Sequence, residues 1–180
     1  TGKKVGAISL LFKSSLGNFF ITNDDHDNLL ISNYNNKAGG TLTIYRIKDT
    51  ANPEQYIEFK NAPVSGRRMS VTGSLDGDAI IFAPSDKSSN VLYWTVTGGV
   101  LKSQEPQVYT ADETKIKWNF VADVAAIEKD LNKGLFIAGY GPVNAVGFFN
   151  ADGTLNTGAN LIGLGIDNHV NHALDLAVFN

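Results

Sequence analysis

Residues 17–47, GNFFITNDDHDNLLISNYNNKAGGTLTIYRI, lie without a gap on residues 67–97, RRMSVTGSLDGDAIIFAPSDKSSNVLYWTVT. The offset is 50, as Asn28 and Asp78 show (78 − 28 = 50). Thr22 falls on Thr72, Ile31 on Ile81, Lys37 on Lys87 and Leu42 on Leu92. Where identity fails, character persists: Phe19 meets Met69, Ile21 meets Val71 and Ile44 meets Trp94. Each copy is a set of short β-rich runs broken by Asn, Asp and Gly, which supply turns. Self-similarity at about 40–50 residues carried on short strands predicts an all-β fold, a propeller-like array of four-stranded blades.

Working outward from the repeat, Val5–Phe12 reads as a strand, either the last of a preceding blade or an N-terminal closing strand. The first unit predicts strands at Asn18–Thr22, Asn28–Tyr34, Thr41–Lys48 and Gln55–Phe59. The second predicts Arg68–Thr72, Ala79–Phe82, Val91–Thr97 and Gln107–Thr110. The third is looser: Trp118–Val124, Leu135–Tyr140, Val143–Asn150 and Asn160–Gly165, with a helical turn expected within Ala125–Gly134. A fourth unit opens at Ala173–Phe179. The chain thus reads as one propeller-like domain or fragment over 1–180, with blade units at 13–60, 61–111 and 112–166 and the start of a fourth at 167–180. A blade cannot cover both of its faces alone, and a propeller hides its edges by closing a ring. An incomplete ring, three blades plus part of a fourth, therefore predicts either a fragment of a longer polypeptide or a second chain that completes the ring.

Composition sets outer bounds. The chain has 180 residues, 43% hydrophobic and 18% charged, as expected of a single globular domain. A net charge of −3, with no basic stripe interleaved with aromatics, argues against a nucleic-acid partner. With no Cys, disulfides, thiolate metal sites and cysteine nucleophiles are excluded. No stretch reaches the roughly 18 apolar residues of a membrane span. The start, Thr1-Gly2-Lys3-Lys4-Val5, has neither an initiator Met nor a signal peptide's apolar core, which reads as a mature or trimmed chain.

Two resemblances follow from particular stretches. Ser74-Leu75-Asp76-Gly77-Asp78-Ala79-Ile80-Ile81-Phe82, continued by Asn90-Val91-Leu92-Tyr93-Trp94-Thr95-Val96 and Gly98-Gly99, resembles the repeat of TolB-type propellers, with Leu75 where that repeat has Pro. Asn28–Tyr34, Val143–Phe149 and Asp167–Asp175 resemble the uncharacterised propeller domains of surface lipoproteins from gut Bacteroidetes. The second resemblance implies an extracytoplasmic setting, at the cell surface or in the periplasm, and a carbohydrate-related binding role without catalytic residues.

Several groups invite a chemical reading. Asp167-Asn168-His169-Val170-Asn171-His172 is dense in potential metal ligands, but on a strand positions 169 and 172 face opposite sides, so a polar loop is expected and no metal. Asn23-Asp24-Asp25-His26-Asp27-Asn28 lacks the Gly and terminal Glu of an EF-hand loop and reads as a strand-connecting turn. Asn150-Ala151-Asp152-Gly153-Thr154 reads as a hairpin turn in which Asp-Gly supplies a positive φ. There is no nucleophile elbow, Walker or dinucleotide motif, no cofactor is expected, and Glu54, Glu58, Glu105, Glu113 and Glu128 show no pairing that singles out two of them.

Sugars are met by aromatic platforms flanked by amides and carboxylates. Tyr34 with Asn35, Tyr140 with Asn144, and Trp118 have that character, and His169 can hydrogen-bond hydroxyls. Tyr34 and Tyr140 both end the second strand of their unit and so belong to one end of the array, where loops commonly form a binding surface. The expected function is therefore non-catalytic binding of carbohydrate. The alternatives are a protein-docking scaffold completed by a second chain, and part of a glycan-active hydrolase or lyase.

Overall fold

The computed structural model describes residues 18–35, 40–62, 69–84, 90–112, 120–126, 130–140, 145–156 and 162–163. Among them there is no α-helix, and the protein is all-β. Strands β1 (Asn18–Asn23), β2 (Leu29–Asn35), β3 (Thr41–Ile47) and β4 (Glu54–Phe59) form a first antiparallel sheet in that order. A second sheet follows with β5 (Ser70–Gly73), β6 (Ala79–Pro84) and β7 (Asn90–Thr97), and the outer edge of β7 is shared by β8 (Val100–Leu101) and β9 (Gln107–Thr110). The third sheet holds β10 (Phe120–Ala126), β11 (Leu135–Tyr140), β12 (Ala145–Phe149) and β13 (Ile162–Gly163). The helical turn expected before β11 is a 3-10 turn, Leu131–Lys133, capped by the Asp130 carboxylate, which accepts from the Asn132 N–H. The short β8 has no counterpart in the strands read from the sequence. The segments Val5–Phe12 and Ala173–Phe179 lie outside the described residues.

Strand alternation sends successive side chains to opposite faces, and here both faces are used. Leu30, Leu42, Ile44 and Ile57 of the first sheet pack with Ile81, Ala83, Leu92, Trp94 and Val96 of the second. The opposite face of the second sheet, carrying Ile80, Phe82, Val91 and Tyr109, packs on Val121, Val124, Leu135, Ile137 and Phe149 of the third. The second sheet is therefore the middle layer, and all six residues of β6 are buried. The first strands lie side by side. Ser70 Oγ donates to the Val124 carbonyl (2.6 Å) and the Ala126 N–H donates to Thr72 Oγ1 (3.2 Å), so β5 and β10 run in the same direction. The Asp25 N–H donates to the Gly73 carbonyl (3.1 Å), joining the β1–β2 turn to β5.

The ungapped repeat holds for the first two strands of each unit and fails in the third. Ile21↔Ile31 in the first sheet matches Val71↔Ile81 in the second. Ile31, however, pairs with Tyr45, whereas Ile81 pairs with Trp94. Trp94 thus corresponds to Tyr45, not to Ile44, and the offset there is 49 (94 − 45 = 49). The connection after β6 is one residue shorter, and a one-residue slip sends every side chain of the strand to the other face. Leu42 and Ile44 accordingly face the second sheet, while Leu92 and Trp94 face back toward the first.

The outer strands of the first and second sheets are each held by the segment that follows. The Gln104 side chain donates to the Tyr56 carbonyl (3.1 Å) and accepts from the Glu58 N–H (3.2 Å), standing in for a neighbouring strand along β4. Its carbonyl accepts from Trp94 Nε1 (3.0 Å). The chain leaving β9 meets the turn after β12, where Tyr109 donates to the Asn150 carbonyl (2.6 Å) and Asp112 N–H to the Gly153 carbonyl (2.7 Å). Gly153 has φ 86, and a Cβ there would strike the Thr110 carbonyl.

Ile81 and Phe82 are adjacent, fully buried and aimed into different seams. Ile81→Ala and Phe82→Ala should each lower unfolding stability by about 3 kcal/mol in urea titrations. A loss below about 1 kcal/mol for either would mean that its seam is not closely packed.

Candidate functional site

The densest polar constellation among the described residues closes the seam between the first and second sheets, at the end where β1 turns into β2 and β5 into β6. The two turns are built alike. Asp24 N–H donates to the Asn28 carbonyl and Asp27 N–H to the Asp24 carbonyl; Ser74 N–H donates to the Asp78 carbonyl and Gly77 N–H to the Ser74 carbonyl. Asn150–Thr154 repeats the pattern in the third sheet, with Gly153 at the positive φ that its Asp-Gly sequence predicts. In the first turn Asp27 takes the left-handed conformation (φ 62), which short polar side chains tolerate.

Asp24 is the hub. Its buried carboxylate accepts from the N–H groups of His26 (2.9 Å), Asn28 (2.8 Å) and Leu75 (2.7 Å) and from the Asn28 amide (2.7 Å). The bond from Leu75 crosses from one sheet to the next. Burial pushes the Asp24 carboxyl up, but these donors together outweigh it and hold it below the usual carboxylate range. The cluster at Asn23–Asn28 thus does the work of a turn, its central carboxylate saturated by amide donors.

The second carboxylate is Asp76, on the turn of the second sheet. Its Oδ1 accepts from Lys48 Nζ (2.5 Å) and Arg46 Nη2 (2.9 Å), and its Oδ2 from the Asn28 amide (3.0 Å). The Lys48 and Asn28 hydrogen bonds, with the Arg46 charge, hold its carboxyl far below the ordinary range. Arg46 is buried (3% exposed), because the alternation of β3 that aims Leu42 and Ile44 at the second sheet aims residue 46 there too. The Arg46 guanidinium carbon lies 5.6 Å from the ring centroid of Tyr56. Tyr56 reaches that place through a β-bulge: Ile44 pairs with Ile57 and Tyr45 with Gln55, leaving Tyr56 as the extra residue. At the rim, His26 Nδ1 and Ser74 Oγ are 2.6 Å apart. No group of the kind that orients the base of a nucleophile pair touches the His26 ring among the described residues.

Of the residues singled out from the sequence, Tyr34, Asn35 and Tyr140 are described, and they lie at the other end of their strands. Tyr34 is the last residue but one of β2, opposite Asn18 and Leu42, half-buried against the first seam, and its hydroxyl donates to the Ala62 carbonyl (3.2 Å). The Asn35 backbone pairs with Thr41. The Tyr140 backbone pairs with Phe120 at the register position that Tyr34 holds in the first sheet. Trp118, Asn144 and His169, with the Asp167–His172 group, lie outside the described residues. What sequence reasoning missed is Arg46 and Asp76. The available signal was an Arg in phase with the core positions Leu42 and Ile44, which requires an anion close by.

A family model described as "Domain of unknown function (DUF8500)" matches residues 1–180, and the chain belongs to that family. No curated protein matches the chain. No solved structure matches it either.

Asp24 and Asp76 both titrate below the unfolded-state carboxylate value of about 3.9, so the unfolded chain takes up protons first as pH falls. Their contribution is fully present above about pH 5 and drains away as pH drops through the folded-state values. Asp24→Ala leaves the buried N–H groups of Asn28 and Leu75 and the partly buried one of His26 without their acceptor, and should cost about 3 kcal/mol at neutral pH. Urea midpoints measured from neutral pH to pH 3 should fall for the parent and fall less for Asp24→Ala; parallel profiles would remove Asp24 from this role.

Proposed function

We propose that this member of the DUF8500 family is a non-catalytic binding module, a propeller-like array of four-stranded blades that recognises carbohydrate at the bacterial surface or in the periplasm. The observation that carries the reading is a difference between the two ends of the sheets. One end is closed by tight turns, where the network around Asp24 and Asp76 pairs Arg46 and Lys48. At the other end β2 finishes at Asn35, β6 at Pro84 and β11 at Tyr140, and β4 and β9 also finish on that side of their sheets. The connections that lead from one sheet to the next, after β4 and after β9, start there together with those that follow β2, β6 and β11, and such loops on a rigid scaffold are where a repeat array commonly binds.

The blade reading draws on the stacking of sheets that are consecutive in sequence, with their first strands side by side. The sugar reading draws on Tyr34 and Tyr140 at matching positions, with Asn35 next in sequence to one and Asn144 following the other in the sequence; Trp118 and His169 complete the proposed set. The Tyr34 hydroxyl is spent on Ala62, so its contribution would be the ring face rather than a hydrogen bond. A second reading, docking of another protein chain, is favoured by Ile21. It is 60% exposed on the face of the first sheet that turns away from the second, directly opposite Ile31.

Binding to a panel of immobilised neutral and acidic glycans tests the first reading. Saturable binding should weaken roughly tenfold in Tyr140→Ala while thermal stability is retained, a loss of one stacking contact. Tyr34→Phe should bind like the parent. Unchanged affinity in Tyr140→Ala would remove the platform, and turnover of the bound glycan would replace a binding module with an enzyme.

A further inference from the structure

Among the described residues four buried side-chain polar atoms have no hydrogen-bond partner: Ser32 Oγ, Asn33 Oδ1, Arg46 Nε and the Tyr56 hydroxyl. The last two belong to neighbouring side chains, since the Arg46 guanidinium carbon lies 5.6 Å from the Tyr56 ring centroid. Both can donate. A buried donor left unpaired costs free energy that a native structure normally recovers from a partner. An idle donor on a buried cation, with a second idle donor on the neighbouring side chain, is poised for one kind of partner, an acceptor-rich anion.

The anion already present serves them poorly. Asp76 divides a single oxygen between Arg46 Nη2 and Lys48 Nζ, and gives its other oxygen to Asn28. A guanidinium binds an oxyanion best through two parallel N–H groups. Here the second donor of that fork, Nε, is idle. Asp76 is also the more accessible of the two acids, because its side chain is 49% exposed and sits on a turn. Asp24, by contrast, holds four bonds and is 3% exposed, so it stays. The other acid close by is Glu54, opposite Arg46 on β4.

We propose that the Asp76 carboxylate is an internal stand-in, and that Arg46, Lys48 and Tyr56 form a binding site for the carboxylate or sulfate group of an acidic ligand. The incoming oxyanion displaces Asp76, takes Nε and Nη2 of Arg46 together, and keeps Lys48 as its solvent-side partner. Lys48 is 51% exposed, which leaves the approach open from the rim of the seam. The site lies at the closed end of the sheets and is separate from the carbohydrate surface proposed above, so either can fail without the other.

The probes are inorganic sulfate and glucuronate, titrated against chloride at matched ionic strength, with proton–nitrogen spectra that resolve arginine Nε–H groups. Both oxyanions should shift the Arg46 signal, and Asp76→Asn should bind them roughly tenfold more tightly than the parent, because the internal competitor is gone. Arg46→Lys placed in Asp76→Asn should bring binding back to the chloride level. A preference between the two probes tells whether the site takes a tetrahedral sulfate or a planar carboxylate. Shifts that follow ionic strength alone, or no gain in Asp76→Asn, overturn the proposal. Should Asp76→Asn fail to fold, hydrogen exchange in the parent decides: saturating sulfate should speed exchange of the Leu75–Asp78 amides, and unchanged or slower exchange overturns it.

Discussion

A sheet with two apolar faces must be covered twice. That constraint governs this chain, because β6 buries every one of its residues and β7 buries apolar side chains on both sides. An antiparallel sheet in a two-layer sandwich keeps one wet face and alternates accordingly. The second sheet has no wet face, so it needs a neighbour on each side. The chain supplies them from the segments immediately before and after, which keeps the stacking order the same as the sequence order. The Gln104 clamp on β4 and the Tyr109–Asn150 contact follow from the same order, since each sheet is followed by a segment placed to reach the outer strand of the one before.

Apolar seams alone do not fix how two sheets sit on each other, because hydrophobic contact is non-directional. The polar groups at the seam ends are directional. Asp24 takes the Leu75 N–H across the first seam, and Ser70 and Thr72 meet β10 across the second. A buried charge is costly unless paired, and the pairing of Arg46 with Asp76 removes that cost at only one relative position of the two sheets.

The sequence made the all-β class and the first two strands of each repeat readable, since Ile21, Ile31, Val71 and Ile81 keep one phase through turns of equal length. It hid the slip in the third strand for the same reason that the second sheet is buried twice. When both faces are apolar, Ile44 and Tyr45 are equally acceptable matches for Trp94, and hydrophobic character no longer reports which way a side chain points. The turn at Asn23–Asn28 was legible as a turn, because its residue types favour one. Its reach into the next sheet was not, because the Leu75 N–H that Asp24 accepts is backbone and carries no sequence signal. Arg46 and Asp76 are 30 residues apart in the chain, and only the stacking of two sheets brings them together.

The register slip also makes the two seams chemically unequal. With an offset of 49 in the third strand, the position of Arg46 on β3 is taken on β7 by Thr95, the partner of Ile80 as Arg46 is of Leu30. The first seam therefore carries a buried cation where the second carries a hydroxyl. The described hydrogen bonds across the second seam join neutral groups: Ser70 to Val124, Thr72 to Ala126, Tyr109 to Asn150 and Asp112 N–H to Gly153. Neutral contacts of that kind respond little to salt or to soluble anions, whereas a half-exposed carboxylate shared by two cations responds to both. Two interfaces built on the same repeat thus differ in what can loosen them. The difference comes from one residue of loop length after β6 and one charged side chain in phase with the core of β3.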